Sequence, residues 1–261
     1  MSFEWNFVLV GLAQMVSFFV QGCAGFGSAA LSAPVTNGVL GTAMGVPYGC
    51  TIVIPFLIFL FAREWRRVVW REAAKMVLIG APGLVAGHAL FYALDPAATK
   101  LCIAAIVIAV AAMNAWRAFR PGGGGDGGAT GHDPAWRRGL RYAALVGGSM
   151  VEGAFSIGGP LVTIYSVKSI GSKEGLRATM TLYWIVMCSW NAVTHLSHGM
   201  YTPELVSAMA VGLPFAAAGF ALGMACMRRV NRDQFLRIVY IALLAVGIGM
   251  LVQSVGALAW G

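Results

Sequence analysis

The sequence predicts an all-α polytopic membrane protein of two inverted repeats, each of about five apolar segments. Short broken or re-entrant helices are expected to meet near the membrane midplane. Three observations lead there. First, 59% of the 261 residues are hydrophobic and 11% are charged, with a mean hydropathy of +0.76. A soluble domain carries about 25% charged residues. Second, an unusual glycine-rich motif occurs twice. Third, the basic residues alternate between loops, in opposite phase in the two halves.

The first apolar segment lies near 5–21. The preceding MSFEWNFV lacks the basic start of a cleavable signal peptide, so this segment is expected to stay in the mature protein. The second lies near 27–40, and the opening segments, one and two of each half, are expected to be short, about 14 residues for this one. At about 1.5 Å per residue such a helix spans about 21 Å, against roughly 30 Å of hydrocarbon. Further segments fall near 45–61, 74–94 and 98–117. The run PGGGGDGGATG at 121–131 reads as a flexible linker. It separates a first repeat, 1–120, from a second, 136–261, with 121–135 as a Gly-rich cytoplasmic linker within one membrane domain. The second repeat places its segments near 139–152, 157–168, 176–196, 204–226 and 235–258.

The halves answer each other at a nearly constant offset. FFVQGCAGFGSAALSAPV (18–35) is matched by SMVEGAFSIGGPLVTIYSV (149–167), so Gln21-Gly22 corresponds to Glu152-Gly153. IGAPGLVAGHAL (79–90) is matched by VGLPFAAAGFAL (211–222). The offset stays between 130 and 132 residues, which indicates duplication. Arg63, Arg66, Arg67, Arg71 and Lys75 lie between segments three and four of the first half, where the second half (195–204) has no Lys or Arg. Lys168, Lys173 and Arg177 lie between segments two and three of the second half, where the first (40–45) has none. Arg228, Arg229, Arg232 and Arg237 face only Lys100, and the linker region adds Arg117, Arg120, Arg137, Arg138 and Arg141. One side thus collects 17 of the 18 basic residues and is expected to be the cytoplasm. Equivalent loops then face opposite sides, which makes the repeat inverted, with both termini extracytoplasmic. On this reading the net charge of +8 is a topology signal, and no nucleic acid partner is expected. The five cysteines form no CxxC pair and read as small buried hydrophobes.

The two glycine-rich tips carry the functional reading. A chain break inside lipid leaves backbone N–H groups unpaired, and is tolerated where the backbone lines a cavity. A helix starting there presents free N–H groups and its positive dipole end, an anion cradle without a cationic side chain. The candidate substrate-binding residues are Gly25, Phe26, Gly27, Ser28, Ser156, Ile157, Gly158 and Gly159, with Gln21, Thr51 and Thr181 as further donors. The same glycines also suit close helix packing. The density of the duplicated motif, and Pro160 as a helix-start signal, favour the anion site. Whether segments one and two of each half form a hairpin or two tilted crossings is not decided by charge.

Glu152 is the one carboxylate placed within a membrane segment. Such acids are costly and tend to be functional. It is either a proton carrier or a neutral acid hydrogen-bonded to backbone at the break, as Gln21 would be. His88 is a second proton-coupling candidate, against the alternative of a packed core residue. His195 and His198, with Asn191 one turn earlier, suggest a polar vestibule, and are too few for a metal site. Trp5, Trp65, Trp70, Trp136 and Trp260 fall near segment ends, as an interfacial belt would. The sequence has no GxxxxGK[ST], so direct ATP use is not expected. No cofactor or metal is expected.

On GFGSAALSAPV, GAFSIGGPLVTIY and the short apolar segment after each, the chain resembles the TauE/SafE sulfite exporter family of membrane anion transporters. The resemblance runs through nearly the whole chain. It implies a secondary transporter, an exporter, moving sulfite, a small organosulfonate or a related sulfur-containing anion across the bacterial inner membrane. Alternating access and proton linkage are expected. The first motif has Ser28 where the family has a further glycine, so the two tips are expected to contribute unequally, with a hydroxyl donor from Ser28. A membrane-embedded enzyme acting on a lipid phosphate is the alternative, but it would want Arg or Lys at the phosphate, and the segment assignment leaves the core without a cation. A passive anion channel and a homo-oligomer both stay open.

Overall fold

The computed structural model describes residues 2–25, 27–94 and 135–227. Phe26, the linker and the fifth segment of each half lie outside the described residues. What is described is helical: α1 (Ser2–Ala24), α2 (Ser28–Leu40), α3 (Thr42–Ile52), α4 (Ile54–Glu64), a 3-10 turn (Trp65–Arg67), α5 (Trp70–Ala93), α6 (Ala135–Phe155), α7 (Gly159–Ser169), α8 (Lys173–Ser197) and α9 (Pro203–Met227). Among the described residues there is no strand.

The protein is a membrane protein by its surface as well as its composition. Among the described residues, four helical stretches are long and apolar enough to cross a bilayer: Asn6–Cys23, Thr42–Arg67, Trp70–Ala93 and Pro203–Cys226. Leu78 is 74% exposed, Val193 66% and Val16 65%. Meanwhile Gln14, Thr36, Ser149, Glu152, Asn191 and His195 are buried. Apolar side chains out and polar ones in suit a hydrocarbon solvent.

Helix lengths correct one expectation. The opening segment of each half is not short: α1 has 23 residues and α6 has 21. The apolar run underestimates α6 because Arg137, Arg138 and Arg141 sit in its first turns, where long stems reach toward the interface. The second segments are the short ones. At about 1.5 Å per residue, α2 with 13 residues spans about 20 Å and α7 with 11 about 17 Å.

The third segment of the first half is interrupted at Val53, between α3 and α4. Pro55, near the start of α4, has no N–H to donate to Thr51, and its ring crowds that turn. The matching residue in the second half is Val186, and α8 runs unbroken for 25 residues.

Among the described helices, two pairs dominate the packing: α1 on α9 and α5 on α6. Both run parallel and both are seated on glycine. A Cβ on Gly219 or Gly223 would collide with the Met15 or Phe19 carbonyl oxygen of α1. A Cβ on Gly83 or Gly87 would collide with the Val146 or Met150 carbonyl oxygen of α6. Small residues let backbones approach this closely in lipid. The first helix of each half is thereby held by the fourth helix of the other, with the register differing by about one turn.

The described basic residues gather at one end. Tyr165 donates to Glu72 Oε2 at 3.0 Å, the Val69 N–H to Thr179 Oγ1 at 2.9 Å, and Lys75 pairs with Glu72 at 2.6 Å. Arg177 departs from its expected place among loop cations. It is buried, pairing with Glu64 at 2.9 Å and donating to the Gly22 carbonyl at 2.8 Å. The core therefore does hold a cation, drawn inward because a carboxylate and a helix-end carbonyl are there to receive it. The opposite end joins α3, α5, α8 and α9 through Tyr92, His195, Thr51, Tyr201 and the Thr202–Met44 contact.

Candidate functional site

The site is built from the two breaks. After Ala24 the chain turns through Gly25 (φ 83°) and Gly27 (φ 100°), left-handed values that side chains disfavour. In the second half Ser156, the counterpart of Gly25, adopts φ 57°. For a residue with a Cβ that conformation costs about 1–2 kcal/mol. A Cβ on Gly158 would collide with the Gly148 carbonyl of α6, so this turn also needs its glycine.

Gln21 and Glu152 occupy matching places and do matching work. Gln21 Oε1 accepts from the Ser28 N–H at 3.1 Å, and its Nε2 donates to the Gly25 carbonyl at 3.0 Å. Glu152 Oε2 accepts from the Gly158 N–H at 3.0 Å. Each side chain closes the break following its own helix. α8 adds two contacts to Glu152: the Cys188 thiol donates to Oε1 at 3.8 Å, and Asn191 Nδ2 donates to the backbone carbonyl at 3.1 Å.

Both breaks open onto one hollow of about 320 Å³, its mouth included. The room inside it for the centre of a water-sized solute is only about 30 Å³, well below the roughly 300–1,000 Å³ of drug-sized sites, so it suits nothing larger than a small ion. Gln21, Gly27, Ser28 and Ala29 line it from the first break, and Glu152, Ser156 and Gly159 from the second. Val53 comes from the α3–α4 interruption itself and Leu57 from the first turn of α4, and Trp184 and Cys188 from α8. Three buried polar atoms on its wall have no hydrogen-bond partner among the described residues: Ser28 Oγ, Ser156 Oγ and Trp184 Nε1. Buried polar atoms are nearly always paired, and an indole N–H can only donate. α2 and α7 both start at this wall, bringing first-turn N–H groups and positive helix ends to it. The arrangement offers hydrogen to an acceptor.

The other residues predicted from sequence lie elsewhere. Gly25 turns against the stem of Arg177. Ile157 packs in a small apolar cluster with Ala33, Ala154 and Phe155. Gly158 directs its N–H to Glu152. The Thr51 hydroxyl pairs with Tyr201, and Thr181 donates to the Arg177 carbonyl of its own helix, so neither reaches the hollow. His88 is buried edge-on against His195, ring centres 5.9 Å apart, away from the hollow. Phe26 is outside the described residues. Sequence reasoning missed Trp184 and Cys188. A tryptophan in mid-segment, where a belt tryptophan would not be, is the signal that could have found them.

A family model for the sulfite exporter TauE/SafE matches residues 9–250. The chain belongs to the TauE/SafE family. No curated protein and no solved structure matches it. The family is one of membrane transporters for sulfite and related anions, and this TauE/SafE chain is a membrane transporter by membership. The matched span contains both breaks and every described residue on the hollow.

Proposed function

We propose that this TauE/SafE chain is a secondary transporter that exports sulfite or a small organosulfonate across the bacterial inner membrane by alternating access, with a proton carried on Glu152. One observation carries the reading: three buried donors without partners surround a hollow where two helices begin. The depth of the hollow supports it. Cys188 lies ten residues before His198 at the far end of α8, about 15 Å at 1.5 Å per residue, half of a hydrocarbon layer of roughly 30 Å.

The proton role follows from electrostatics. An ionised Glu152 beside a bound anion is a like-charge pair in a poorly screened interior. A protonated Glu152 is not, so anion and proton bind together and each favours the other. Two inverted repeats, with re-entrant tips meeting at midplane, account for the matched turns, matched caps and crosswise helix pairs. The end rich in Arg and Lys is then cytoplasmic. Arg177 does not favour the lipid-phosphate enzyme, because it is engaged by Glu64 and Gly22 and does not line the hollow.

The test is uptake and counterflow of labelled sulfite or a sulfonate in proteoliposomes, with and without an imposed proton gradient. Saturable counterflow that responds to the gradient is expected. Non-saturable flux without counterflow would mean a channel and sink the reading.

A further inference from the structure

We propose that a buried polar track along α8 and α5 is the proton path between Glu152 and the end of the molecule marked by His198. This rests on the reading of Glu152 as the proton-carrying group, and it adds the route and the side of access.

The track follows one face of α8. Trp184, Cys188, Asn191, His195 and His198 recur at three- and four-residue intervals, the spacing of a single helical face. The first two line the hollow. Asn191 and His195 are fully buried, and His198 is exposed. α5 supplies the facing groups. His88 stands beside Asn191 and edge-on to His195. Tyr92 Oη pairs with His195 Nδ1 at 2.9 Å, and its ring stacks on His198 at 4.0 Å.

Three polar atoms in the middle of this track make no hydrogen bond of good geometry among the described residues, although His88 and Asn191 lie close enough to interact: Asn191 Oδ1, His88 Nε2 and His195 Nε2. All belong to residues more than nine-tenths buried. A purely structural histidine would have both ring nitrogens satisfied. Unpaired atoms on two adjoining helices, with the two imidazole rings 5.9 Å apart, suit bridging water, and water between imidazoles conducts protons. The titratable neighbours are His88, Tyr92 and His198 around His195, and Cys50, Tyr183 and Cys188 around Glu152.

The step balances without a co-reactant. A proton arriving on one ring nitrogen of His195 is matched by one leaving the other, so the ring ends neutral in the alternate tautomer. The proton ends as the O–H of the Glu152 carboxyl. The entry end adjoins the 195–204 loop, which has no Lys or Arg. This is the extracytoplasmic face on the charge rule.

The experiment is a pH jump followed by time-resolved infrared spectroscopy of the carboxyl stretch, assigned to Glu152 by its loss in Glu152→Gln. In the wild type the band should respond at least tenfold faster than in His88→Gln or His195→Gln. Tyr92→Phe, which keeps the ring stacked on His198, gives the same comparison should a glutamine variant fail to fold. Equal rates in all proteins overturn the path, as does a wild-type band that never titrates. Sulfite counterflow on the same preparations judges the transport reading separately. A wild type without counterflow would sink transport while the infrared comparison still decides the path.

Discussion

Ser156 holds a position where its copy in the first half is Gly25, and the serine is strained there. Replacing it by glycine relieves a left-handed conformation worth about 1–2 kcal/mol, offset in part by glycine's entropy of roughly 0.5–1 kcal/mol. It also removes one unpartnered hydroxyl from the hollow. Ser156→Gly should therefore melt at the same temperature as the wild type or slightly higher, yet bind sulfite about tenfold more weakly. A hydrogen bond to a charged group contributes about 1.5–3 kcal/mol, and thermal melting with binding titration checks both halves. Glu152→Gln tests the neighbouring residue. A glutamine oxygen can still accept from the Gly158 N–H, as Gln21 does from Ser28, so the break should hold. Sulfite binding should stay within about threefold, on the scale of 1.4 kcal/mol per tenfold, while dependence of transport on the proton gradient disappears. Full gradient-driven transport by the variant would remove Glu152 from the coupling step.

Single helices set the next level. Gly87→Ala and Gly219→Ala place a Cβ on a carbonyl oxygen of the facing helix, an overpacking cost of about 1–3 kcal/mol. Gly139→Ala in α6 meets nothing within 4 Å and should be neutral or stabilising. Melting in detergent should separate the first two from the third. Pro55 explains why the first half breaks where α8 does not. Pro55→Val should join α3 to α4 and raise the melting temperature. It should slow sulfite counterflow several-fold, because Val53 and Leu57 would leave their places on the hollow; unchanged counterflow would show that the interruption has no part in transport. What was readable at this scale followed from local chemistry. Gly25, Gly27 and the Gly158–Pro160 run mark the breaks because turn geometry is written in a few adjacent residues. The length of α6 was hidden, since the arginines in its first turns look like loop charges in the sequence. Trp184 and Arg177 were hidden for a different reason. Their roles depend on what another helix brings alongside; the mid-segment place of Trp184 was a signal for it, but nothing within α8 marks Arg177 as drawn inward.

At the scale of the molecule, occupancy and stability are linked. A ligand that binds only the folded protein stabilises it by about 2.7 kcal/mol at a hundred times its Kd. Sulfite should raise the melting temperature of wild type and leave a Ser28→Ala, Ser156→Ala double variant little changed. The all-helical membrane class was legible because a high apolar content and long uncharged runs are global patterns. The hollow's full lining was not, because it joins residues from six helices. The crosswise glycine seams have a mechanical consequence. Among the described helices, the one that opens each half makes its most extensive seam with a helix of the opposite half, so the two halves are expected to hold together. A protein severed between residues 120 and 136 should behave as two interlocked pieces: co-produced fragments would copurify, and either one made alone would be cleared by the cell's proteases.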